Sequence, residues 1–100
     1  MVAKGKIIDI IDKENITNVV IMNKVSEGKY APICFTGFTD IKRTISVLNI
    51  EKGDTIKINY HIFSKKYNET YYTTLFIDSI KILLKKTNQL SVDIDGSYIN

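Results

Sequence analysis

Thr39-Asp40-Ile41-Lys42-Arg43-Thr44-Ile45-Ser46-Val47-Leu48-Asn49-Ile50 is the stretch of this chain whose apolar residues keep a helical period. Ile41, Ile45 and Leu48 fall at i, i+4 and i+7, one face of a helix, and are expected to be buried. Thr39 or Asp40 can cap its start, because a short side-chain oxygen accepts from the free N–H groups of the first turn. Gly53 offers a stop just beyond it.

On both sides the pattern is that of strands. Lys6 to Asp12 is Ile-rich, with Ile8 and Ile10 flanking Asp9. Ile16 to Val25 is β-branched and ends at the turn signal Ser26-Glu27-Gly28. Tyr30 to Phe38 is a third run, so the three form a meander with short connections. After Gly53-Asp54, Ile56, Ile58, Tyr60 and Ile62 fall on one face, and Lys57, Asn59, His61 and Phe63 on the other. Ser64 to Thr70 reads as a polar loop containing Lys65, Lys66, Tyr67 and Asn68. Tyr71 to Leu84 is a long fifth strand whose alternation slips near Asp78-Ser79, which predicts a bulge. Three strands, a helix and two strands is the plan of an all-β OB-fold, a five-stranded barrel with a helix between strands 3 and 4. Closing the barrel would remove the edges that such Ile-rich strands otherwise present. We therefore expect one OB-fold domain over residues 1–85, with residues 86–100 a C-terminal tail or edge element.

Composition bounds the function. One hundred residues make one domain, and 44% hydrophobic with 25% charged residues is ordinary globular usage. No stretch approaches the roughly 18–20 apolar residues of a membrane helix. The N-terminus has no apolar run followed by a small-residue cleavage site, so the expected location is cytoplasmic, the host cytoplasm if the chain is phage-encoded. The formal net charge is +3, carried almost wholly by lysine, with Arg43 the single arginine. Lysine supplies point charges for phosphate, whereas base-reading forks come mostly from arginine. The balance favours attraction to a polyanion's backbone over sequence reading.

Cys34 and His61 are each the only residue of their kind. An intrachain disulfide and a thiolate zinc site are thereby excluded, and Cys34 is expected to be a buried structural thiol. His61 is expected to point outward on the fourth strand or to sit at an interface. Asp9, Asp12, Asp54 and Asp78 are not spaced as a metal or acid–base set, and neither a phosphate-binding Gly-rich loop nor a nucleophile elbow occurs. With so few parts for a catalytic constellation, we expect no enzyme activity, no metal and no cofactor.

An ordered set of motifs resembles the bacterial and phage single-stranded DNA-binding protein family over Gly5 to Leu84. It comprises Gly5-Lys6-Ile7-Ile8, Pro32-Ile33-Cys34-Phe35, the helix leading into Leu48, Glu51-Lys52-Gly53-Asp54, Ile62-Phe63-Ser64-Lys65-Lys66-Tyr67-Asn68 and Tyr72-Thr73-Thr74. The chain is also similar to a short domain of this type common in Bacteroidetes and their phages, where a Lys/Arg-Tyr-Asn loop precedes a Tyr-Tyr-Thr strand. It departs from the family in having no tryptophan, a short second connection and no extended tail with an acidic tip. Recruitment of partners through such a tail is therefore not implied.

Binding single strands needs charge that tracks phosphates and flat side chains on which bases stack. Tyr67 is the leading candidate, since an aromatic beside Lys65 and Lys66 in a polar loop is out of place in a core. Its other reading is a ring folded back over the barrel end. The resemblance adds Phe35 and Tyr30, with Lys29 beside the latter. Phe35 competes with core packing. A one-residue shift in alignment decides which face Tyr30 occupies. Phe38, Tyr60, Phe63 and Tyr72 are expected to serve packing or an oligomer contact. The resemblance implies a homo-oligomer, dimer or tetramer, that coats single-stranded DNA beside replication or recombination proteins, with no membrane involved. The alternative is an OB-like protein-interaction or assembly module without nucleic-acid binding.

Overall fold

A computed structural model describes residues 1–86. The elements are β1 (Val2–Asp12), β2 (Thr17–Ser26), β3 (Lys29–Gly37), α1 (Thr39–Val47), β4 (Thr55–Tyr67) and β5 (Thr70–Leu84). The strands close into a barrel in the order β1-β2-β3-β5-β4, with the helix between strands 3 and 4 as the sequence predicts. Of the C-terminal segment expected from residue 86 onward, all but Lys86 lies outside the described residues.

One long strand serves two neighbours. Val2 to Lys6 pairs with β4, and Lys6 to Asp12 pairs with β2. The register shifts between Ile7 and Asp9, so Ile8 is the extra residue of a bulge that bends β1 around the barrel. The bulge predicted in the fifth strand is also there. Asn59 faces Ser79 and Tyr60 faces Ile77, leaving Asp78 unpaired.

Alternation fills the interior. Ile7, Val19, Ile21, Phe35, Ile56, Ile58, Ile77 and Ile80 are buried and form one cluster. Tyr60 packs its ring edge-on against Phe35, with centroids 5.0 Å apart at 89°. The helix closes one end of the barrel through Ile41. Gly37 permits this approach, because a Cβ there would lie 2.6 Å from the Ile41 side chain. Lys42 ties the helix to the β1–β2 turn, pairing with Asp12 at 3.2 Å and donating to the Glu14 carbonyl at 3.0 Å.

Two expectations about the helix change. Its N-cap is Phe38, not Thr39 or Asp40, and no side chain caps it. The Phe38 carbonyl instead accepts from Ile41 and Lys42 N–H, both at 3.0 Å. Leu48 is not buried: it is the C-cap and 43% exposed, while Ile50 takes the interior place at 5%. The cause is a Schellman turn. Asn49 adopts φ 55, its N–H donates to the Ser46 carbonyl at 3.2 Å, and Ile50 N–H donates to the Ile45 carbonyl at 2.9 Å. The chain reverses two residues after Leu48 and folds Ile50 under the helix.

The expected polar loop between strands 4 and 5 is also corrected. Strand pairing runs without interruption to Tyr67↔Thr70, and only Asn68 and Glu69 turn, with φ 49 and 65. Two successive positive φ values make a tight hairpin turn whose twist matches the strands it joins. Among the described residues, no helix is long and apolar enough to cross a membrane.

Candidate nucleic-acid interface

The barrel closes between β3 and β5 through a single paired position, Thr36↔Phe76. Beyond it, the β4–β5 hairpin leaves the barrel as an arm in which residues 61–73 are all exposed. Neither side of this arm faces a core, so its side chains alternate between two solvated faces.

That alternation divides the predicted Lys65, Lys66 and Tyr67 cluster. Lys65 and Tyr67 lie on the outer face, which is continuous with the outer face of β3. Lys66 lies on the reverse face, where its ammonium sits 6.0 Å from the Tyr71 ring centroid and 3.9 Å from the Glu69 carboxylate. Tyr67 is 63% exposed and is not folded back over the barrel.

On β3 the alternation sorts the other candidates. Phe35 has no exposed surface; it fills the core beside Tyr60 and presents no ring to a base as the barrel stands. Its inward position leaves Tyr30, Pro32 and Cys34 pointing outward. Tyr30 is 61% exposed and sits across from Lys24. Lys29, beside the Gly28 turn, is exposed on the other side of the strand from Tyr30. Cys34 is exposed, contrary to expectation. Desolvation raises its pKa and the charge of Lys13 pulls the other way, so the group is held toward the neutral thiol.

Two shallow depressions mark this outer face. One, of about 460 Å³, is lined by Lys4, Gly5, Lys6, Met22, Lys24 and Tyr30. Lys4, Lys6 and Lys24 were missed as candidates, though the alternation of Lys4 and Lys6 against Ile7 already puts both on the face away from the core. The other, of about 470 Å³, runs between Pro32, Cys34 and Thr36 of β3 and Thr73, Thr74 and Leu75 of β5. It joins the Tyr30 region to the arm. Among the described residues, no carboxylate lies within ion-pair distance of Lys4, Lys6 or Lys65, so their charge is available to an anion.

Aromatic rings also gather where the arm leaves the barrel. Phe76 stacks on Phe38, with centroids 5.2 Å apart at 21°, and lies 5.6 Å from His61 and 6.1 Å from Phe63. His61 points outward as expected, with Nδ1 2.8 Å from the Asp78 carboxylate. Among the described residues, no group of three His, Cys, Asp or Glu side chains is placed to hold a metal ion.

No protein-family model matches the chain. Nor does any curated protein sequence. Solved structures do match in fold. A mitochondrial single-stranded DNA-binding protein of S. cerevisiae, Rim1, superposes with a TM-score of 0.67 at 15% identity, covering 85% of this chain and 93% of that one. A second crystal form of Rim1 gives 0.67 at 15% identity over 88% and 96%. The N-terminal domain of PriB from Thermoanaerobacter tencongensis, described as dimeric, gives 0.63 at 16% identity over 85% and 96%. Likeness at this identity speaks to architecture, and on that ground the chain is an OB-fold barrel like those of Rim1 and the PriB N-terminal domain.

Proposed function

We propose that this chain binds single-stranded DNA without reading its sequence, by lysine attraction to phosphates and stacking of bases on exposed tyrosines, with no chemistry on the strand. The observation that carries this reading is the placement of Tyr30 and Tyr67 on one outer face, each beside lysines: Lys4, Lys6 and Lys24 around the first, Lys65 next to the second. Aromatic platforms beside a cationic groove are what sequence-tolerant single-strand binding requires. Lys29 and Lys66 lie off this face and would add long-range attraction only.

The reading extends to an accessory role in phage or bacterial replication or recombination, in the cytoplasm, as a homodimer or homotetramer. Val2, Ile8 and Ile11 of β1 are exposed apolar side chains that an assembly of copies would cover. A protein-interaction module is the competing function, and exposed Ile62 and Tyr71 on the arm's reverse face favour it.

Titration with oligo(dT) and with a duplex of equal length, at several salt concentrations, separates the two. Binding is expected to prefer the single strand and to weaken with salt, each neutralised phosphate contributing a log–log slope of about −0.7. A parent protein that binds neither oligonucleotide would leave the interaction module as the better reading. Light scattering at tens of micromolar should give the mass of a dimer or tetramer, and a monomer would remove the assembly claim.

A further inference from the structure

We propose that Lys4, Lys57 and Lys81, with Lys6 beside them, form a second anion-binding surface on the outer face of the β1-β4-β5 sheet, which holds a single strand by its phosphates alone where it leaves Tyr30. This rests on the single-stranded DNA-binding reading above and gives a task to Lys57 and Lys81, which that reading does not use.

The registry sets these lysines in a row. Lys4 lies directly across from Lys57, and Lys57 directly across from Lys81, in two antiparallel pairings. Facing Cβ atoms in such pairs stand about 5 Å apart, so the three stems rise from a strip about 10 Å wide. Their strand neighbours Ile56, Ile58 and Ile80 are buried in the core, which turns the lysines outward. Lys6, two residues beyond Lys4 on β1, shares that face. Lys57, in the middle, is half-buried, so salt and water screen its charge less.

Nothing on the sheet answers this charge. Like charges facing each other across a ladder are destabilising, and the row holds two such pairs. Residues 2–6, 55–59 and 79–84, the paired parts of the three strands, carry four lysines and no acid. Among the described residues, none of these four lysines is within ion-pair distance of a carboxylate. The adjoining Asp78 is engaged by His61 at 2.8 Å. A hydrogen-bond donor stands in the same patch. Asn59 Nδ2 donates to Ser79 Oγ at 2.9 Å, which leaves the Ser79 O–H to donate to an incoming anion.

The occupant is a phosphate backbone. Residues 2–6, 55–59 and 79–84 include no aromatic side chain, so this surface offers charge without a ring on which a base can stack. A second copy laid over the sheet would set lysine against lysine, unlike one laid along Ile8 and Ile11 of β1. Continuity selects the single strand among anions, because Lys4 and Lys6 also line the depression that holds Tyr30. A strand with a base on Tyr30 therefore has its next phosphates at the head of the row, where each contact releases counterions.

Oligo(dT) strands of about 6 and about 16 nucleotides bracket the reach of one barrel. Lys57→Gln combined with Lys81→Gln removes both charges and keeps polar side chains in their place. This double variant should bind the short strand like the parent. On the long strand its log–log salt slope should fall by about 1.4, two phosphate contacts at about 0.7 each. Abasic deoxyribose-phosphate units added at one end of the short strand should steepen the parent's slope as added thymidines do, because this surface holds no base. Arg43→Gln combined with Lys52→Gln removes the same charge from exposed positions off this sheet and should behave as the parent does. Urea unfolding should find the Lys57, Lys81 variant no less stable than the parent, since a repulsion has been removed.

If the parent binds and the Lys57, Lys81 variant keeps its slope on the long strand, the second surface is refuted while binding on the tyrosine face stands. An equal loss on the short strand, or in the Arg43, Lys52 variant, reduces the effect to net charge and also refutes it. So does unchanged DNA binding with a larger mass in light scattering, which would make the row a means of keeping copies apart. If the parent binds neither strand, both readings fall together.

Discussion

Asp54 has no exposed surface, and three donors converge on its carboxylate. Glu51 N–H donates at 2.9 Å, Lys86 N–H at 2.8 Å and the Lys85 ammonium at 2.8 Å. Burial by itself would raise the pKa of Asp54, but these hydrogen bonds and the Lys85 charge outweigh it and hold the group below its ordinary value. Lys85 is raised in return, first by its hydrogen bond to Asp54. Both signs give a stability window. The carboxylate's contribution is complete above the ordinary aspartate value of 3.8 and is lost as pH falls through the lower folded value. The lysine's is complete below its ordinary 10.5 and is lost as pH rises through the higher folded value. Asp54→Ala leaves two backbone N–H groups without their acceptor and should cost about 1–3 kcal/mol in urea unfolding, with m unchanged. The variant should also lose part of the parent's steepening toward acid pH. Equal stability of variant and parent at neutral pH would show that the latch contributes nothing. At the same scale, Lys65 and Lys66 are neighbours in sequence but face opposite ways. Lys65→Ala should lower the salt slope of oligo(dT) binding by about 0.7, whereas Lys66→Ala should hardly move it. Equal effects would mean that the strand wraps both faces of the arm.

Elements show where a local period is enough and where it is not. The helix stripe correctly selects Ile41, which is buried, and Ile45, which packs half-buried against the core. It then selects Leu48, because i+7 is the next position on the stripe, and the Schellman reversal at Asn49 gives that place to Ile50. Ile50→Ala is expected to cost about 2–5 kcal/mol, as for a buried aliphatic side chain. Leu48→Ala should cost less than about 1 kcal/mol, because much of its side chain already meets water. The reverse ranking in chemical denaturation would contradict the cap geometry. The hairpin arm errs in the opposite sense. Ser64 to Thr70 is polar, which reads as a loop, yet strands solvated on both faces are polar for the same physical reason. The residues that do turn, Asn68 and Glu69, include an asparagine, the residue besides glycine that most readily adopts positive φ.

Over the whole molecule, charge is distributed by pairing and not by composition. The excess of 14 basic over 11 acidic residues is modest. Several acids are engaged in pairs, Asp12 with Lys42, Glu51 with Lys86 and Asp54 with Lys85, and at the outer face Glu27 pairs with Lys24 and Asp78 with His61. Glu51 is held low in pKa first by its hydrogen bond from Lys86. Among the described residues, Lys4, Lys6 and Lys65 have no carboxylate partner, so their charge is open to an anion. A mildly charged protein can in this way present a cationic face that is sensitive to salt.

Periodicity alone determined the strand set, the place of the helix and the bulge at Asp78, because burial of alternate side chains is encoded residue by residue. It also placed Tyr30 in the right element, but it put Tyr67 in a loop where the chain continues as β4. The tertiary structure decided which faces look inward. Alternation states which residues share a face, but not whether that face meets a core. The register of closure settles that, here at Thr36 and Phe76. This closure turns Phe35 into the barrel and Tyr30 out of it and leaves the arm bare on both sides, while the strand pairing that runs on to Tyr67 parts Lys65 from Lys66. It brings Phe38, Phe63 and Phe76 together from three elements of the chain, a juxtaposition for which no local pattern exists.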